Sequence, residues 1–227
     1  MAKIKLLWST PDPEFQIVRA TRICYDSEDK MDSRWEPTEN AHNITMGKGM
    51  QLDAPMLKVV LGKNDEDLLR KVMTNQHNTC LRFSSAAFHI EGVSRVCTHQ
   101  LVRIAHFGIL QRSQRYCNEG ETEFYIPEEL SDGRYKEFME QGRALYDQAV
   151  KDGVKEEMAR YLLPNAATSQ INLVANFQGW KHFCKIRLNN KVQMETRRVA
   201  AKVCRQLYKL APIVFEADYK KLQTLEL

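Results

Sequence analysis

The stretch from His99 to Tyr116 reads HQLVRIAHFGILQRSQRY and lies inside a longer run, residues 92–118, that contains no aspartate or glutamate. Such a gap is unusual in a chain in which 27% of the 227 residues are charged. Apolar side chains recur at helical spacing through residues 93–104, and this period predicts a helix that ends before Gly108. The run also carries four arginines and two histidines: Arg95, Arg103, Arg112 and Arg115, with His99 and His106.

The loop predicted after Gly108 has the groups that an anion needs. It carries Arg112, Ser113 and Arg115, which offer guanidinium groups, a hydroxyl and backbone N–H groups. Guanidinium forks suit phosphate because they donate two parallel hydrogen bonds to its oxygens. The same charges also suit a solvated basic face, or one that pairs with acids elsewhere in the chain. The spacing of these residues alone favours anion binding no more than it favours a solvated or acid-paired basic face.

Length and composition bound the class of protein. A chain of 227 residues predicts one domain, residues 1–227, that is large enough to bury a sizeable core. A hydrophobic content of 43% with 10 glycines is typical of a globular protein. The net charge of +4 permits anionic ligands but does not single out nucleic acid, which we do not expect as a partner.

Cysteine usage and hydropathy predict the compartment. The six cysteines are scattered without a CxxC pair, so we expect no metal site and read them as reduced thiols. No stretch reaches the apolar length of a membrane span, and the N-terminal residues do not look like a secretion signal. We therefore expect a soluble, cytoplasmic protein with no membrane partner.

The order of strands and helices predicts a mixed α/β (α+β) fold in a single domain, with a central sheet packed by long helices. Strands are predicted at 3–9, 83–90 and 168–176, and helices at 14–25, 64–74, about 135–150, 155–163, 177–187 and 192–210. Asn64 is the predicted cap of its helix, because acids follow it in the first turn. Residues 26–61 lack periodicity, so we expect a long loop or insertion at about 27–61, acting as a lid or an interface arm.

The acid-free run resembles the signature of the flavin-dependent (alternative) thymidylate synthases. That family has RHR, seven further residues and a serine, and usually closes with S-x-R-Y. The corresponding residues here are Arg103-Ile104-Ala105 and, seven residues later, Ser113-Gln114-Arg115-Tyr116. The upstream segment 99–103 (HQLVR) and the downstream segment 123–127 (EFYIP) also match common family forms.

Further partial motifs follow in the family's order and extend the resemblance over roughly residues 20–216, apart from the long loop. The segments are ATRICY (20–25), NQHNT (75–79), ARYLLP (159–164), NFQGWKHFCKIR (176–187) and QMETR (193–197). An ordered string of partial matches is more specific than any one of them. The resemblance implies the family's homotetramer, with sites completed between subunits.

The resemblance also implies an activity and its residues. Family members transfer a one-carbon unit from methylenetetrahydrofolate to C5 of dUMP, with hydride from reduced FAD and recharging by NADPH. The residues implied for nucleotide binding are Gln100, Arg103, Gln111, Ser113, Arg115, Arg160 and Arg187. Those implied for cofactor binding are His77, Thr79, Asn176 and His182. Arg187 and Ser113 are implied as catalytic, in a scheme that needs no protein nucleophile.

Departures from the motifs fall mostly on the flavin side. Ile104 and Ala105 replace His and Arg of RHR, Arg82 replaces an acid, and Gln178 replaces an arginine. Leu110-Gln111 stands where the family has Asn-Glu, and a glutamine amide both donates and accepts hydrogen bonds. These changes leave a flavin-free, redox-neutral hydroxymethylation of dUMP or dCMP as one alternative. A non-enzymatic nucleic-acid-binding protein that uses residues 92–118 is the other.

Overall fold

The computed structural model describes residues 2–37, 44–46, 50–52 and 57–227. The strands in these ranges are β1 (Lys3–Ser9), β2 (Arg34–Pro37), β3 (Ile44–Met46), β4 (Met50–Leu52), β5 (Leu57–Val60), β6 (Ser85–Ser94), β7 (Gly108–Gln111) and β8 (Thr168–Asn176). The α-helices are α1 (Pro13–Cys24), α2 (Lys63–Thr74), α3 (Arg95–Leu101), α4 (Gly133–Lys151), α5 (Glu156–Ala159), α6 (Phe177–Arg187), α7 (Met194–Leu210) and α8 (Pro212–Leu222). This mixed α/β architecture with a central sheet confirms the predicted fold class.

The central sheet has four antiparallel strands in the order β1-β6-β8-β7. Alternate residues of β8, such as Ile171 and Leu173, point to one face and are buried, which is the two-residue period of a half-covered strand. That face packs against α1, α6, α7 and α8 in one core. The opposite face carries a polar row in which His89 of β6 pairs with Lys5 of β1 and Asn172 of β8.

Trp180 shows how α6 is fixed on the sheet. Its indole N–H donates to the carbonyl of Ala86 at 3.0 Å, so the polar atom of a fully buried ring is satisfied. Its ring meets Phe88 of β6 edge-to-face, with the two centroids 5.1 Å apart. α6 thus has a fixed rotation about its axis, which sets where Arg187 at its C-terminal end projects.

Several predicted elements are confirmed residue for residue: β1, β8 and α6 have the predicted bounds. The predicted helix at 93–104 is shorter, because β6 continues to Ser94 and pairs Val93 with Ser169. Gly108 was predicted as a break and instead begins the edge strand β7. Pro212 begins α8, which was not predicted, since the first turn of a helix accommodates proline.

The start of α2 corrects the prediction for Asn64. The cap residue is Gly62, and the side chain of Asp32 accepts hydrogen bonds from the backbone N–H groups of Asn64 (2.9 Å) and Asp65 (3.1 Å). The carboxylate of Asp32, which is distant in sequence, therefore caps this helix in place of Asn64. A pattern of neighbouring residues does not reveal a partner that is so far away in sequence.

Residues 27–61 contain more regular structure than the predicted loop. β2 pairs with β5, and β3 pairs with β4, each antiparallel. The segment is anchored beside α2 by Asp65, whose carboxylate accepts from Ser33 and Arg22. Burial acts to raise the pKa of Asp65, but the hydrogen bonds from Ser33 and Arg22 outweigh it and leave that pKa lowered.

The described residues were also expected to lack a membrane span and a metal site. No helix in these ranges has the length and apolar character needed to cross a membrane. Within the same ranges, no group of three or more histidine, cysteine, aspartate or glutamate side chains has the arrangement of a metal site. All six cysteines are free.

Candidate active site

The short helix α3 organises the site. Ser94 caps it, because its Oγ accepts from the backbone N–H of Cys97 at 3.0 Å. The carboxylate of Glu195, at the start of α7, accepts in turn from Ser94 N (2.7 Å) and Ser94 Oγ (2.5 Å). α3 therefore begins at a buried carboxylate and ends just before Arg103.

Gln100, Arg103 and Arg187 lie together at the C-terminal end of α3, and we call this group the Gln100 cluster. Arg187 donates from a terminal N–H to the carbonyl of Gln100, and the amide of Gln100 donates to the side chain of Gln193. Burial lowers the pKa of Arg187, and the nearby charge of Arg103 lowers it further. The Nε of Arg187 is buried and has no hydrogen-bond partner among the described residues, so one donor remains unused.

Ser113, Arg115 and Arg160 lie in or beside the loop after β7, and we call them the Ser113 cluster. The Oγ of Ser113 accepts from the backbone N–H of Arg115 at 3.2 Å. Arg115 donates from Nε to Glu157 at 2.8 Å, and its guanidinium stands 5.3 Å from the ring centroid of Tyr116. Arg160 is exposed at the end of α5, three residues after Glu157.

Gln111 has a different environment from the other predicted nucleotide residues. Its amide donates to the hydroxyls of Thr98 (2.9 Å) and Ser169 (3.3 Å), which tie β7 to α3 and β8. Both amide N–H groups are therefore engaged by the protein itself, and only its carbonyl oxygen is left for a ligand. The neighbouring Leu110 is 76% exposed.

The predicted cofactor residues come from the segment after α2 and from α6 with its cap. His77, Thr79 and His182 are exposed, and the Nδ1 of His77 lies 3.3 Å from the hydroxyl of Tyr25. Asn176 is held by the protein, because its side chain caps α6 by accepting from Gly179 N at 2.9 Å. The structure thus presents three of the four as accessible side chains.

Comparison with known proteins decides the family. The sequence model of the family described as "Thymidylate synthase complementing protein" matches residues 5–213. The chain belongs to this family. It is 37% identical over 166 residues to the flavin-dependent thymidylate synthase of Pyrococcus abyssi, covering 66% of this chain and 68% of that protein. The flavin-dependent thymidylate synthase of Mycobacterium marinum is 33% identical over 172 residues, covering 67% of this chain and 68% of that protein. The flavin-dependent thymidylate synthase of Pyrococcus furiosus is 36% identical over 168 residues, covering 68% of each chain. The resemblance drawn from the motifs is confirmed.

Two departures from the motifs of the thymidylate synthase complementing family lie against each other. Arg82 replaces the family's acid and Gln178 replaces its arginine, and the Nε of Arg82 donates to the carbonyl oxygen of the Gln178 side chain. In this chain the contact joins a guanidinium to a neutral amide. Ile104, in place of the RHR histidine, is 4% exposed and belongs to the hydrophobic core.

Two acids of this region were not predicted from the sequence, one in contact with the Ser113 cluster and one at the start of α3. Glu157 contacts Arg115, and Glu195 holds Ser94 across 101 residues of sequence. Glu157 could have been found from its position three residues before Arg160, since that spacing places two side chains on one helix face. Glu195 lies in the QMETR segment, but nothing local indicates which group it contacts.

A cleft of about 750 Å³ opens between the sheet and the loop 118–125. It is polar, and its walls include Lys3, Glu91, Arg112, Glu119 and Gln170. The charges are mostly paired, because Arg112 contacts the buried Glu119 at 3.2 Å and Lys3 contacts Glu91 at 3.3 Å. The cleft adjoins the Ser113 cluster through Arg112 and contains none of the predicted nucleotide residues.

Proposed function

We propose that this protein is a flavin-dependent thymidylate synthase, which transfers a one-carbon unit from methylenetetrahydrofolate to C5 of dUMP and forms dTMP. The observation that carries the proposal is the buried, unused Nε donor of Arg187 in the Gln100 cluster, in a chain that belongs to this family. The names of the curated relatives favour methylation with flavin over the redox-neutral alternative.

The two clusters divide the nucleotide between them. Ser113, Arg115 and Arg160 supply a hydroxyl and two guanidinium groups for the phosphate. Arg187 supplies a fixed, partly buried cation for an oxygen of the pyrimidine ring. When C5 acts as the nucleophile, negative charge develops on that oxygen, and a pre-oriented cation stabilises it more than water does.

The proposed reaction requires no nucleophilic side chain from the protein. Burial raises the pKa of Cys97 to about 12, so its thiol is not ionised at neutral pH. In the described residues, Ser113 contacts the backbone of Arg115 and no histidine or carboxylate that would activate its hydroxyl. Ser113 therefore binds and orients the nucleotide, and Arg187 is the catalytic residue of the pair.

The side chains on the proposed flavin face fit an anionic dinucleotide. Arg82 contributes a cation, His77, Thr79 and His182 contribute accessible donors, and the neighbouring Phe83 is 64% exposed and offers a ring for stacking. These residues would hold FAD. When bound, reduced FAD would supply the hydride that turns a formaldehyde-level carbon into a methyl group, and NADPH would recharge it. This donor set is the reason to retain FAD despite the loss of the RHR histidine and second arginine.

Assembly and location are part of the proposal. Each cluster is incomplete alone, and the described contacts link neither cluster to the other, so we infer that a second copy of the chain completes each site in a homotetramer. Six free cysteines are typical of a reducing compartment, and we propose the cytoplasm. A pyrimidine nucleotide, rather than nucleic acid, is the proposed partner.

The test is the product. Purified protein is incubated with dUMP, methylenetetrahydrofolate, FAD and NADPH, and the nucleotide is weighed by mass spectrometry. We expect dTMP, formed only when flavin and reductant are present, and a loss of activity of at least about a hundredfold in Arg187→Ala. The exposed Arg205 provides the control, and Arg205→Ala should keep full activity. A hydroxymethylated product without flavin would contradict the proposal.

A further inference from the structure

Three arginines have a buried Nε without a hydrogen-bond partner among the described residues: Arg95, Arg187 and Arg197. Arg187 belongs to the Gln100 cluster. Arg197 is 4% exposed and donates to both oxygens of Asn190, at 2.9 and 3.2 Å. Its guanidinium is therefore inaccessible to a ligand. Arg95 has no role in the proposed function so far, and it remains partly open to solvent.

Arg95 lies against the backbone of the Ser113 cluster. It is the first residue of α3, and one terminal N–H donates to the carbonyl of Arg112 at 3.2 Å. That carbonyl belongs to the peptide bond that joins Arg112 to Ser113. The guanidinium of Arg95 is therefore next to the residue that we assign to the phosphate, although it comes from 18 positions earlier in the sequence.

Among the described contacts, no carboxylate neutralises Arg95. Glu119 is the nearby acid, and it is hydrogen-bonded to Arg112. Glu157, the other acid of the region, is hydrogen-bonded to Arg115. The guanidinium of Arg95 uses one of its five N–H donors in these contacts, and arginine cannot shed its charge.

The surroundings of Arg95 disfavour the charged form of its guanidinium. An anion bound beside the guanidinium would reverse this effect. Burial lowers the pKa of Arg95, and the charge of Arg160 lowers it further, while Glu119 acts in the opposite direction. A half-buried cation without a carboxylate partner destabilises the folded state, and an anion bound by Arg95 offsets that penalty.

We propose that Arg95 is a further phosphate-binding residue of the nucleotide site, acting together with Arg160 beside Ser113. This inference rests on the proposed function and deepens it. Arg115 already carries Glu157, so Arg95 and Arg160 supply the uncommitted positive charge of the cluster. Phosphate is favoured over a single carboxylate because a dianion with three terminal oxygens accepts from two guanidinium groups at once.

The experiment compares ligands that differ only in the phosphate. Affinities of the full-length protein for dUMP and for deoxyuridine are measured by calorimetry, for wild type, Arg95→Lys and Arg197→Lys. We expect Arg95→Lys to weaken dUMP about tenfold or more and to leave deoxyuridine unchanged, since the ammonium of lysine cannot reproduce the planar guanidinium fork that keeps one N–H on a carbonyl while others reach the phosphate. Arg197→Lys is the matched control: it disturbs another orphaned guanidinium, and it should leave the ratio of the two affinities as in wild type.

The possible outcomes separate the two levels of the proposal. If wild-type protein binds dUMP no better than deoxyuridine, the proposed function itself is overturned. If wild type discriminates and Arg95→Lys discriminates equally, only the assignment of Arg95 is overturned. An Arg95→Lys variant that weakens methylenetetrahydrofolate instead of dUMP would assign Arg95 to the folate carboxylates and likewise overturn it.

A second measurement avoids dependence on a variant that might not fold. In a crystal structure of the wild-type protein with dUMP, an N–H of Arg95 should lie within hydrogen-bond distance of a phosphate oxygen. A phosphate bound by Arg115 and Arg160, with Arg95 out of reach, would overturn the inference.

Discussion

At the scale of single residues, Glu14 couples the stability of the fold to pH. Its carboxylate accepts from the backbone N–H groups of Ile213 (2.6 Å) and Val214 (3.0 Å) and so caps α8. Burial raises the pKa of Glu14 from 4.5 to about 7, although the two backbone hydrogen bonds act to lower it. Since the folded state holds the proton more tightly than the unfolded chain, the contribution of Glu14 to stability is present below pH 4.5 and is lost as pH rises to about 7.

Glu14→Gln should remove this dependence, because the amide keeps an acceptor oxygen for α8 but does not ionise. Between pH 4.5 and 7.5 we expect wild type to lose, relative to the variant, at most a few kcal/mol of unfolding free energy, since each pKa unit corresponds to about 1.4 kcal/mol. Urea unfolding of both proteins across this range measures the difference. Parallel curves for wild type and variant would show that Glu14 ionises normally.

At the scale of residues, sequence is most informative about partners that are close along the chain. Ser113 and Arg115 are two positions apart in one predicted loop, and the structure joins them through the hydrogen bond from Arg115 N to Ser113 Oγ. Their binding of an anion stays a prediction. Glu195, which holds Ser94, was not predicted, because a hydrogen bond across 101 residues leaves no periodic trace. Asp32 at the start of α2 was missed for the same reason.

At the scale of elements, the first turn of α7 fixes α3. Gln193 accepts from the side chain of Gln100 at one end of α3, and Glu195 accepts from Ser94 at the other. The hydroxyl of Thr196 lies 3.5 Å from the sulfur of Cys97 between them. α3 carries Gln100 and leads into Arg103, so α7 determines the direction of residues that we assign to the nucleotide.

Glu195 is accordingly a positioning residue. Glu195→Gln replaces the carboxylate that accepts from Ser94 with a neutral amide. This change weakens the hydrogen bonds that hold the start of α3. We expect KM for dUMP to rise about tenfold while kcat stays within about twofold, because substrate and transition state lose the same orientation. Adding Ser94→Ala to this variant should raise KM little further, since both changes break the same contact.

Steady-state kinetics and melting temperatures distinguish positioning from general stability. The exposed Glu226 is the control, and Glu226→Gln should change neither. If Glu195→Gln lowered the melting temperature but left KM unchanged, the contact would be structural only.

Elements with a strict period were predicted well, and elements defined by their partners were not. β8 alternates buried and exposed residues along its whole length, so its bounds followed from sequence. The boundary between β6 and α3 was misplaced because Val93 is apolar in either element. It is fixed as strand only by its pairing with Ser169 of β8.

At the scale of the whole molecule, large aromatic rings are exposed beside the Ser113 cluster. Tyr116 is 77% exposed and Tyr161 is 80% exposed, each next to an arginine of the Ser113 cluster. Large rings left in water beside a binding site indicate a surface that a partner covers. We propose that the partner is a second copy of the chain.

We also propose that the chain forms a single domain, residues 1–227, and that the segment at 27–61 is an insertion into it.

If each site takes the Ser113 cluster from one copy and the Gln100 cluster from another, two inactive variants will complement each other. Arg115→Ala disables the first cluster and Arg187→Ala the second, and each protein alone should be inactive. Co-expressed or refolded together, they place both intact clusters in about a quarter of the sites, because each site draws one cluster at random from each variant. Activity of the mixture should therefore recover to roughly a quarter of the wild-type value. Light scattering must show the same assembly for variants and wild type, and a mixture of two Ser113-cluster variants, Arg115→Ala and Arg160→Ala, is the control that should stay inactive. No recovery in the first mixture, with subunit exchange demonstrated, would place both clusters in one chain.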